Sequence, residues 1–219
     1  MYEIFLDTET TGLSFKEGHK IVEIACIETK ELIPTGRIFH KLINPNRDVP
    51  EAAFKIHGFS QKFLSDKKTF DLIADDLISF VKGKKIIIHN APFDMGFLNG
   101  ELGANKKQLI DKNLVIDSLE IARNKFPGAS NSLDALCKKF NIDLSKRSKH
   151  NALLDCELLR EVYINLLDAK EPKFNLTSNI QENKTLKNIN YCKHVVKISE
   201  DEIKMHKEFL KKEIKKNFY

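Results

Sequence analysis

The strongest constraint on the fold lies near the start of the chain, where an apolar run leads into two acidic residues. Residues 4–6 read Ile-Phe-Leu and predict a buried strand that delivers Asp7 and Glu9 before it ends at Gly12. Side chains alternate along a strand, so both carboxylates point to the same face, roughly 7 Å apart along the strand. Two carboxylates beside a core repel each other and lose hydration, so both stay ionised only with a cation between them. The alternative is an edge strand whose two acids face water.

Two further aspartates end segments that begin with His-Asn, at residues 89–94 and 150–155. Asp94 is predicted to face inward from the first turn of a helix, where the alternative is an acid favoured only by the helix dipole. Asp155 lies on the apolar face of a predicted helix, and no residue three or four positions away is basic. An ionised carboxylate on a buried face needs a partner. We therefore interpret Asp155 as a cation ligand rather than as a neutral or water-bonded side chain.

The four acids Asp7, Glu9, Asp94 and Asp155 form a set of oxygen donors without a thiolate, which suits Mg²⁺ or Mn²⁺ better than zinc. Their charge can hold two divalent ions about 3.5–4 Å apart, an arrangement that serves in-line phosphoryl displacement. His150 precedes Asp155 by five residues, so it can join this site only from the loop before the helix. A histidine there can take a proton from an attacking water, although a lone histidine at such a position is more often a surface residue.

The order of the predicted elements indicates an α/β fold with one mixed sheet and helices on both of its faces. Three strands come first, at residues 2–6, 20–27 and 37–43, and the short gaps between them favour antiparallel neighbours. Two short strands, at residues 85–89 and 114–117, alternate with helices further along the chain. Helices are predicted at residues 50–58, 70–81, 93–102, 118–126, 133–140 and 151–167.

The length and composition of the chain limit its class. Its 219 residues suit one domain of ordinary size with an appendage. No apolar run approaches the roughly 20 residues that span a bilayer, and the N-terminus lacks the features of a signal peptide. The four cysteines are scattered without a CxxC motif, which argues against zinc and indicates a reducing, cytoplasmic compartment.

The net charge of +5 is unevenly distributed along the chain. Residues 169–219 hold 12 Lys and 7 acidic residues, so the surplus lies there and residues 1–168 are formally neutral. Non-specific affinity for nucleic acid comes from the neutralisation of phosphates. We therefore expect the neutral body to grip only a short stretch of nucleic acid by itself.

The C-terminal part of the chain differs from the rest in composition. Residues 169–191 are polar and rich in Asn and Lys, and they predict a flexible linker. A capping box at residues 199–202 then opens a basic helix that is predicted to extend to about residue 218. We therefore divide the chain into a body at residues 1–168, a linker at 169–191 and a C-terminal segment at 192–219.

The motifs DTETTG, HNAPFD and HNALLD together resemble those of the DEDDh exonucleases, a ribonuclease-H-like family that trims nucleic acid from the 3′ end. The resemblance is closer still to the epsilon (proofreading) subunits of bacterial DNA polymerase III, and it covers residues 2–168. It implies a ribonuclease-H-like mixed sheet with three antiparallel strands followed by two parallel ones. It also implies that His150 is the general base and that two Mg²⁺ or Mn²⁺ ions are held by Asp7, Glu9, Asp94 and Asp155.

The resemblance also predicts which residues contact the substrate. His57 lies where the family contacts the terminal nucleotide, and Ala52 begins the segment that the family places beside the terminal base. Ala52 stands where relatives often carry an acidic residue, so a side-chain contact is lost there. We expect Thr10, Thr11 and Leu13 to line the same pocket. The predicted substrate contacts are Asp7, Glu9, Thr10, Thr11, Leu13, Ala52, His57 and Asp155.

The predicted partners involve the tail. Residues 195–203 resemble the C-terminal segment with which epsilon subunits dock on the alpha subunit of DNA polymerase III. Contact with the sliding clamp, for which residues 174–177 are a faint candidate, or with a small accessory subunit stays open. The alternative for the tail is a disordered, solvated extension.

Together these features predict a 3′–5′ DNA exonuclease that proofreads for a replicative DNA polymerase. Two-metal hydrolysis of the 3′-terminal phosphodiester would release nucleoside 5′-monophosphates from DNA with a single-stranded or frayed 3′ end. The alternatives are an RNA-trimming exonuclease of the same family and a catalytically idle scaffold that recruits partners through its tail.

Overall fold

The computed structural model describes residues 1–145, 147, 149–168 and 198–213. The chain forms two compact units, Met1–Lys173 and Phe174–Tyr219. The predicted linker at residues 169–191, which includes the faint clamp-binding candidate, lies outside the described residues. The predicted boundaries of the body and the tail therefore stay predictions.

The first unit is built on one five-stranded mixed sheet. Its strands are β1 (Tyr2–Thr10), β2 (Ile21–Lys30), β3 (Ile33–Leu42), β4 (Lys85–Ile88) and β5 (Val115–Asp117). They lie in the order β3-β2-β1-β4-β5. β2 pairs antiparallel with β1 and β3, whereas β4 pairs parallel with β1 and β5. The predicted mixed sheet, with three antiparallel strands followed by two parallel ones, is confirmed.

The helices of the described residues are α1 (Glu51–His57), α2 (Gln61–Leu64), α3 (Ala74–Val81), α4 (Ala91–Ala104), α5 (Ser118–Lys125), α6 (Leu133–Lys139), α7 (Ala152–Leu166) and α8 (Glu200–Glu213). The sequence does not predict α2, because one turn is too short to show an apolar periodicity. Its only local signal is Ser60, whose hydroxyl accepts a hydrogen bond from the Phe63 N–H at 3.1 Å. None of the helices in the described part of the chain is long and apolar enough to cross a membrane.

The side chains of β1 alternate between the two faces of the sheet. Ile4 and Leu6 are fully buried in a cluster with residues of α3 and α4, whereas Phe5 is fully buried in a second cluster with residues of α7. Each such side chain contributes roughly 1.5–3 kcal/mol by its burial, so both faces hold β1 in its register. Asp7 and Glu9 follow Phe5 on the face that carries α7.

The loop after β1 is held by two close contacts between an aromatic ring and a glycine. A β-carbon at Gly12 would overlap the ring of His19, and one at Gly100 in α4 would overlap the ring of Phe15. His19 Nδ1 also lies 3.2 Å from Thr11 Oγ1. The loop is therefore packed against itself and against α4, at the end of the sheet where β1 delivers its acids.

The second unit contains α8, which begins with the predicted capping box. The Ser199 hydroxyl accepts a hydrogen bond from the Glu202 N–H at 3.2 Å, and the Ser199 N–H donates to Glu202 Oε2 at 2.9 Å. The predicted continuation of this helix beyond residue 213 lies outside the described residues.

Candidate active site

The carboxyl ends of the parallel strands β1 and β4 meet at one edge of the sheet, where ligands commonly bind in α/β folds. β1 brings Asp7 and Glu9 there, α4 brings Asp94 in its first turn, and α7 brings Asp155 in its first turn. Glu9, Asp94 and Asp155 are buried, with 8%, 3% and 3% of their surfaces exposed. His150 lies in the loop before α7, as predicted, and is exposed.

Three of these residues lie especially close together. The donor atoms of Glu9, His150 and Asp155 are all within 4.8 Å of one another, and no other such group of metal-ligating residues was found among the described residues. Asp94 is held beside β1 by the Thr8 hydroxyl, which donates a hydrogen bond to Asp94 Oδ1 at 2.6 Å. The edge of the sheet therefore gathers all the acids that the sequence analysis selected.

The pKa values of three acids are raised. Burial, together with the charges of Asp94 and Asp155, raises the pKa of Asp7 well above its usual range. Burial raises the pKa of Glu9 to about 8, although His150 opposes the rise, and burial raises the pKa of Asp94 to about 7. Glu9 and Asp94 therefore hold protons near neutral pH unless a cation stabilises their charge, and the pKa of Asp7 is shifted in the same direction. Such a buried set of oxygen donors fits a hard divalent cation.

Asp155 differs from the other acids because it has a cationic partner. Arg147 Nε donates to Asp155 Oδ1 at 2.6 Å and Arg147 Nη2 donates to Oδ2 at 2.8 Å, while His150 Nδ1 lies 3.4 Å from Oδ2. Burial would raise the pKa of Asp155, but the hydrogen bonds from His150 and Arg147 outweigh it and lower that pKa. The hydrogen bond with Asp155 in turn raises the pKa of His150. No basic partner is evident from the sequence of α7, because Arg147 lies in the loop before the helix.

A fifth carboxylate near the site, Glu23 in β2, is absent from the predicted site residues. It lies opposite Glu9 in the register of β1 and β2 and is completely buried. Its carboxylate is bound by groups from β3 and from the start of α7. One signal could have revealed it, since Glu23 is the lone acid in the otherwise apolar run at residues 21–27.

His57 ends α1 beside the loop that carries His150. It is 4% exposed, its Nδ1 accepts a hydrogen bond from the Phe59 N–H at 3.0 Å, and its Nε2 has no hydrogen-bond partner in the described structure. The Ile56 carbonyl accepts a hydrogen bond from the His150 N–H at 3.2 Å. Burial lowers the pKa of His57, so its ring is neutral near pH 7.

The other predicted pocket residues lie at the end of β1, in the loop that follows it and in α1. Thr10 and Thr11 are buried, and their hydroxyls hold the loop together: Thr10 Oγ1 donates to a loop carbonyl at 2.6 Å, and Thr11 Oγ1 accepts from the Lys20 N–H at 3.0 Å. Leu13 is 83% exposed in the same loop, and Ala52 is exposed in the first turn of α1. Their contacts with a substrate stay predictions.

Comparison with known proteins identifies the family. The family model described as Exonuclease (RNase T) matches residues 4–163, a span that contains every predicted site residue and the whole sheet except the first two residues of β1. The chain belongs to the exonuclease family. Two relatives are named DNA polymerase III subunit epsilon. The protein of Rickettsia felis is 46% identical over 217 residues, which cover 95% of each protein. The protein of Escherichia coli K12 is 46% identical over 169 residues, which cover 74% of this chain and 70% of that protein.

Solved structures of exonucleases share the fold. Exonuclease X in complex with 5′ overhanging duplex DNA is 25% identical with a TM-score of 0.59, and the match covers 77% of this chain and 92% of that chain. The nuclease domain of 3′hExo, a DEDDh family member bound to rAMP, has a TM-score of 0.66 over the same shares, and its 18% identity shows the fold alone. The predicted resemblance to DEDDh exonucleases of the epsilon type is confirmed, and the chain is a metal-dependent 3′–5′ exonuclease of this family.

Proposed function

We propose that this exonuclease removes mispaired nucleotides from single-stranded or frayed 3′ ends of DNA during replication and releases nucleoside 5′-monophosphates. The observation that carries the proposal is the close group of Glu9, His150 and Asp155 beside two further acids at the edge of the sheet. The name of the epsilon relatives supports a proofreading role with a replicative polymerase. This role belongs in the cytoplasm, where replication takes place.

We assign two Mg²⁺ or Mn²⁺ ions to the carboxylates of Asp7, Glu9, Asp94 and Asp155. When bound, such ions activate an attacking water and stabilise the leaving oxygen of the phosphodiester. The raised pKa values of Asp7, Glu9 and Asp94 support this assignment, because the charged forms of these buried groups need a cation. The Thr8 hydroxyl orients Asp94 toward β1.

His150 acts as the general base. Its side chain is 49% exposed, so water can reach the ring, while Nδ1 lies 3.4 Å from Asp155 Oδ2 and 2.9 Å from Arg147 Nη2. Asp155 thereby orients the ring and stabilises its protonated form, which raises the pKa of His150. A positioned base with a pKa near neutrality contributes about 10²–10⁴-fold to the rate.

The 3′-terminal nucleotide binds between the loop after β1 and α1. The unpartnered Nε2 of His57 supports a polar contact there, and the exposed Leu13 offers an apolar surface to the terminal base. The hydrogen bonds of Thr10 and Thr11 keep this loop in place. The proposed substrate contacts are Asp7, Glu9, Thr10, Thr11, Leu13, Ala52, His57 and Asp155.

The C-terminal segment at residues 192–219 docks on the alpha subunit of DNA polymerase III. Ile203, Met205 and Phe209 of α8 are large apolar side chains with 42%, 63% and 57% of their surfaces exposed, and a partner protein would shield them. The formal neutrality of residues 1–168 supports this arrangement, because such a body needs help to retain DNA. The sliding clamp or a small accessory subunit is a further proposed partner.

Release of 3′-terminal nucleotides from a single-stranded DNA oligonucleotide with Mn²⁺ tests the site. Asp155→Asn is expected to lose about 10³-fold or more of kcat, because the loss of a metal ligand removes several kcal/mol of transition-state stabilisation. Asp75→Asn is the matched control, since Asp75 is an exposed acid of α3 that pairs with Lys107 at 2.6 Å. Equal activities of the two variants would contradict the site. An RNA oligonucleotide of the same sequence, chosen without thymine or uracil, tests the substrate class, because only the 2′-OH then differs.

Copurification with a replicative polymerase tests the docking. The full-length chain is expected to copurify with the alpha subunit, whereas residues 1–168 alone are expected to be lost on washing. Ile203→Asp with Phe209→Asp in the full-length chain should behave like the truncated form. Retention of the truncated form would place the docking surface on the body instead.

A further inference from the structure

Glu23 occupies an unusual position for a charged side chain. It lies in the apolar run of β2, opposite Glu9, and its side chain is 0% exposed. A buried charge is strongly unfavourable unless it is paired or hydrogen-bonded. The partners of Glu23 therefore indicate what this residue does.

Three donors bind the Glu23 carboxylate, and two of them belong to the start of α7. His40 Nε2 donates to Oε1 at 2.7 Å, and Asn151 Nδ2 donates to the same oxygen at 3.1 Å. The backbone N–H of Ala152 donates to Oε2 at 2.9 Å. An ionised carboxylate only accepts hydrogen bonds, so His40 carries a proton on Nε2. Glu23 thus joins β2, β3 and α7 at one point.

These contacts fix the chain between His150, in the loop before α7, and Asp155, in the first turn of α7. Asn151 is the residue before the helix, where its own Oδ1 caps the first turn, and Ala152 is the first helical residue. His150 directly precedes this pair, and Asp155 follows it within the same turn. Glu23 also places negative charge at the positive end of a 15-residue helix, which is a favourable arrangement.

Glu23 is arranged to hold protein groups rather than a metal ion. Both of its carboxylate oxygens are engaged by donors of the protein. Among the described residues, it also lies outside the group of Glu9, His150 and Asp155, whose donor atoms are within 4.8 Å of one another. It can therefore affect the site only through the residues that it holds.

We propose that Glu23 is a positioning residue of this exonuclease. It anchors the start of α7 to β2, so that His150 and Asp155 lie next to the acids of β1, and His40 holds the Glu23 carboxylate in the orientation that this requires. The proposal rests on the proposed roles of His150 and Asp155, which it deepens by naming what keeps both residues in place.

The same strand offers a matched control. Glu28 of β2 is also buried, at 1% exposure, but it pairs with Lys84 at 2.5 Å and Arg37 at 3.2 Å and accepts from the Thr35 hydroxyl at 2.9 Å. None of these partners belongs to α7 or to the predicted site. Glutamine at either position preserves the size of the side chain and removes its charge. Glu23→Gln and Glu28→Gln therefore disturb comparable buried networks at different places.

The test is steady-state nucleotide release from a single-stranded DNA oligonucleotide with Mn²⁺, measured on full-length proteins well below their melting temperatures. We expect Glu23→Gln to lower kcat about 10–100-fold, as for residues that orient metal ligands, with little change in KM. Glu28→Gln is expected to keep the wild-type kcat although its Tm falls. Equal kcat values for the two variants would overturn the proposal.

Two readouts do not depend on catalysis. In the NMR spectrum of the metal-free protein, we expect the Ala152 amide proton, which is bonded to a charged oxygen, to move upfield in Glu23→Gln and to stay in place in Glu28→Gln. The increase in Tm on adding Mn²⁺ is expected to be smaller in Glu23→Gln than in Glu28→Gln. An unmoved Ala152 resonance together with an undiminished Mn²⁺ effect would also overturn the proposal.

Asp155→Asn in the same assay distinguishes failure of the proposed active site from failure of the positioning role of Glu23. If Asp155→Asn is inactive while Glu23→Gln keeps its full kcat, only the positioning role is wrong. If Asp155→Asn is fully active, the proposed site is wrong and the positioning role with it. His40→Phe, which removes the donor but retains a ring, is expected to lower kcat less than Glu23→Gln does; an unchanged kcat would remove His40 from the proposal.

Discussion

Two helix starts in this molecule have nearly the same sequence and opposite electrostatics. Residues 89–94 read His-Asn-Ala-Pro-Phe-Asp and precede or begin α4, while residues 150–155 read His-Asn-Ala-Leu-Leu-Asp and precede or begin α7. In each, the histidine comes two residues before the helix and the aspartate lies in its first turn. Yet burial raises the pKa of Asp94 to about 7, whereas His150 and Arg147 lower that of Asp155 against the effect of burial.

The histidines of the two segments differ in the same way. His89 Nδ1 lies 2.9 Å from the Ser118 hydroxyl, and His89 Nε2 donates to the Asn131 carbonyl at 2.9 Å. Both of its ring nitrogens are thus engaged, and burial lowers its pKa. His150 is exposed, and its pKa is raised by Asp155. One histidine ties β4 to its neighbours, and the other faces solvent at the site.

The asparagines differ in backbone conformation. Asn90 is left-handed, with φ at 71°, and its side chain does not cap α4. Asn151 is extended, with φ at −148°, and its Oδ1 accepts from the Leu154 N–H to cap α7. The two histidines therefore approach their helices along different paths. The contrast teaches that partners outside the motif decide the exposure of its histidine and the pKa of its aspartate.

The largest expected difference concerns the two histidines. His150→Gln should lower kcat about 10²–10⁴-fold, because it removes the proposed base. His89→Gln should instead lower the free energy of unfolding by about 1–3 kcal/mol, because it disturbs the hydrogen bond between this half-buried ring and the fully buried Ser118 hydroxyl, while kcat stays near the wild-type value. Nucleotide release measures kcat, and urea denaturation measures the free energy of unfolding. Similar losses of kcat in the two variants would erase the proposed distinction.

A smaller effect is expected for Arg147, which pairs with Asp155 at the start of α7. Arg147→Met should lower kcat about 10–100-fold, because Asp155 and His150 lose the guanidinium that orients them. Arg160→Met is the control, since Arg160 lies in α7 and donates to the Leu32 carbonyl at 3.3 Å. A wild-type kcat in Arg147→Met at saturating Mn²⁺ would show that Asp155 is positioned without the arginine.

The opposite pKa shifts predict different contributions to stability across pH. In the metal-free protein, the raised pKa values of Asp7, Glu9 and Asp94 mean that the folded state binds more protons than the unfolded state. Tm should therefore fall as pH rises from about 5 to about 8. Asp94→Asn should reduce this fall. The lowered pKa of Asp155 itself acts in the opposite direction, because it stabilises the fold above the unfolded pKa and this contribution is lost only as pH falls below about 4.

Thermal unfolding in EDTA measures this dependence, and Mn²⁺ supplies the control. Because metal binding displaces protons from the same carboxyl groups, added Mn²⁺ should increase Tm more at pH 8 than at pH 6. A Tm that is constant over this range without metal would mean that the acids of β1 and α4 are not strongly perturbed.

The smallest expected effects concern the two asparagines. At position 90, Gly should be neutral and Ser should cost about 1–2 kcal/mol, because the left-handed conformation is strained for other L-residues. At position 151, Ser and Gly both lose the hydrogen bond to Glu23, and Ser should be more stable than Gly by a few tenths of a kcal/mol because it retains the cap. Urea denaturation of the four variants tests whether the preferred replacement reverses between the two positions. The same preference at both would contradict the assigned conformations.

Most of the fold could be predicted because its signals are local. The apolar runs of β1 and β4 and the apolar faces of α4 and α7 are visible in short windows, and the family resemblance added the parallel order of the last strands. The one-turn helix α2 is too short for such a signal, and the helix predicted at residues 70–81 is interrupted, with a 3₁₀ turn at Phe70–Leu72 before α3.

The site was only partly predictable, because some of its contacts join distant parts of the chain. Asp94 and Asp155 are evident in the sequence as acids on apolar faces. Arg147 gave no comparable signal, because it lies in the loop before α7 and the sequence does not show how that loop folds back toward Asp155. Glu23 did interrupt an apolar run, but its bond to Ala152 spans 129 positions. Only the folded structure shows that Glu23 is hydrogen-bonded to the start of α7.

Any β-carbon at position 12 would overlap the ring of His19, so residues 12 and 19 cannot vary independently of each other. A side chain at position 12 would require the ring of His19 to move, and that movement would break the 3.2 Å contact between His19 Nδ1 and the Thr11 hydroxyl. A substitution at Gly12 is therefore transmitted to Thr11 through His19.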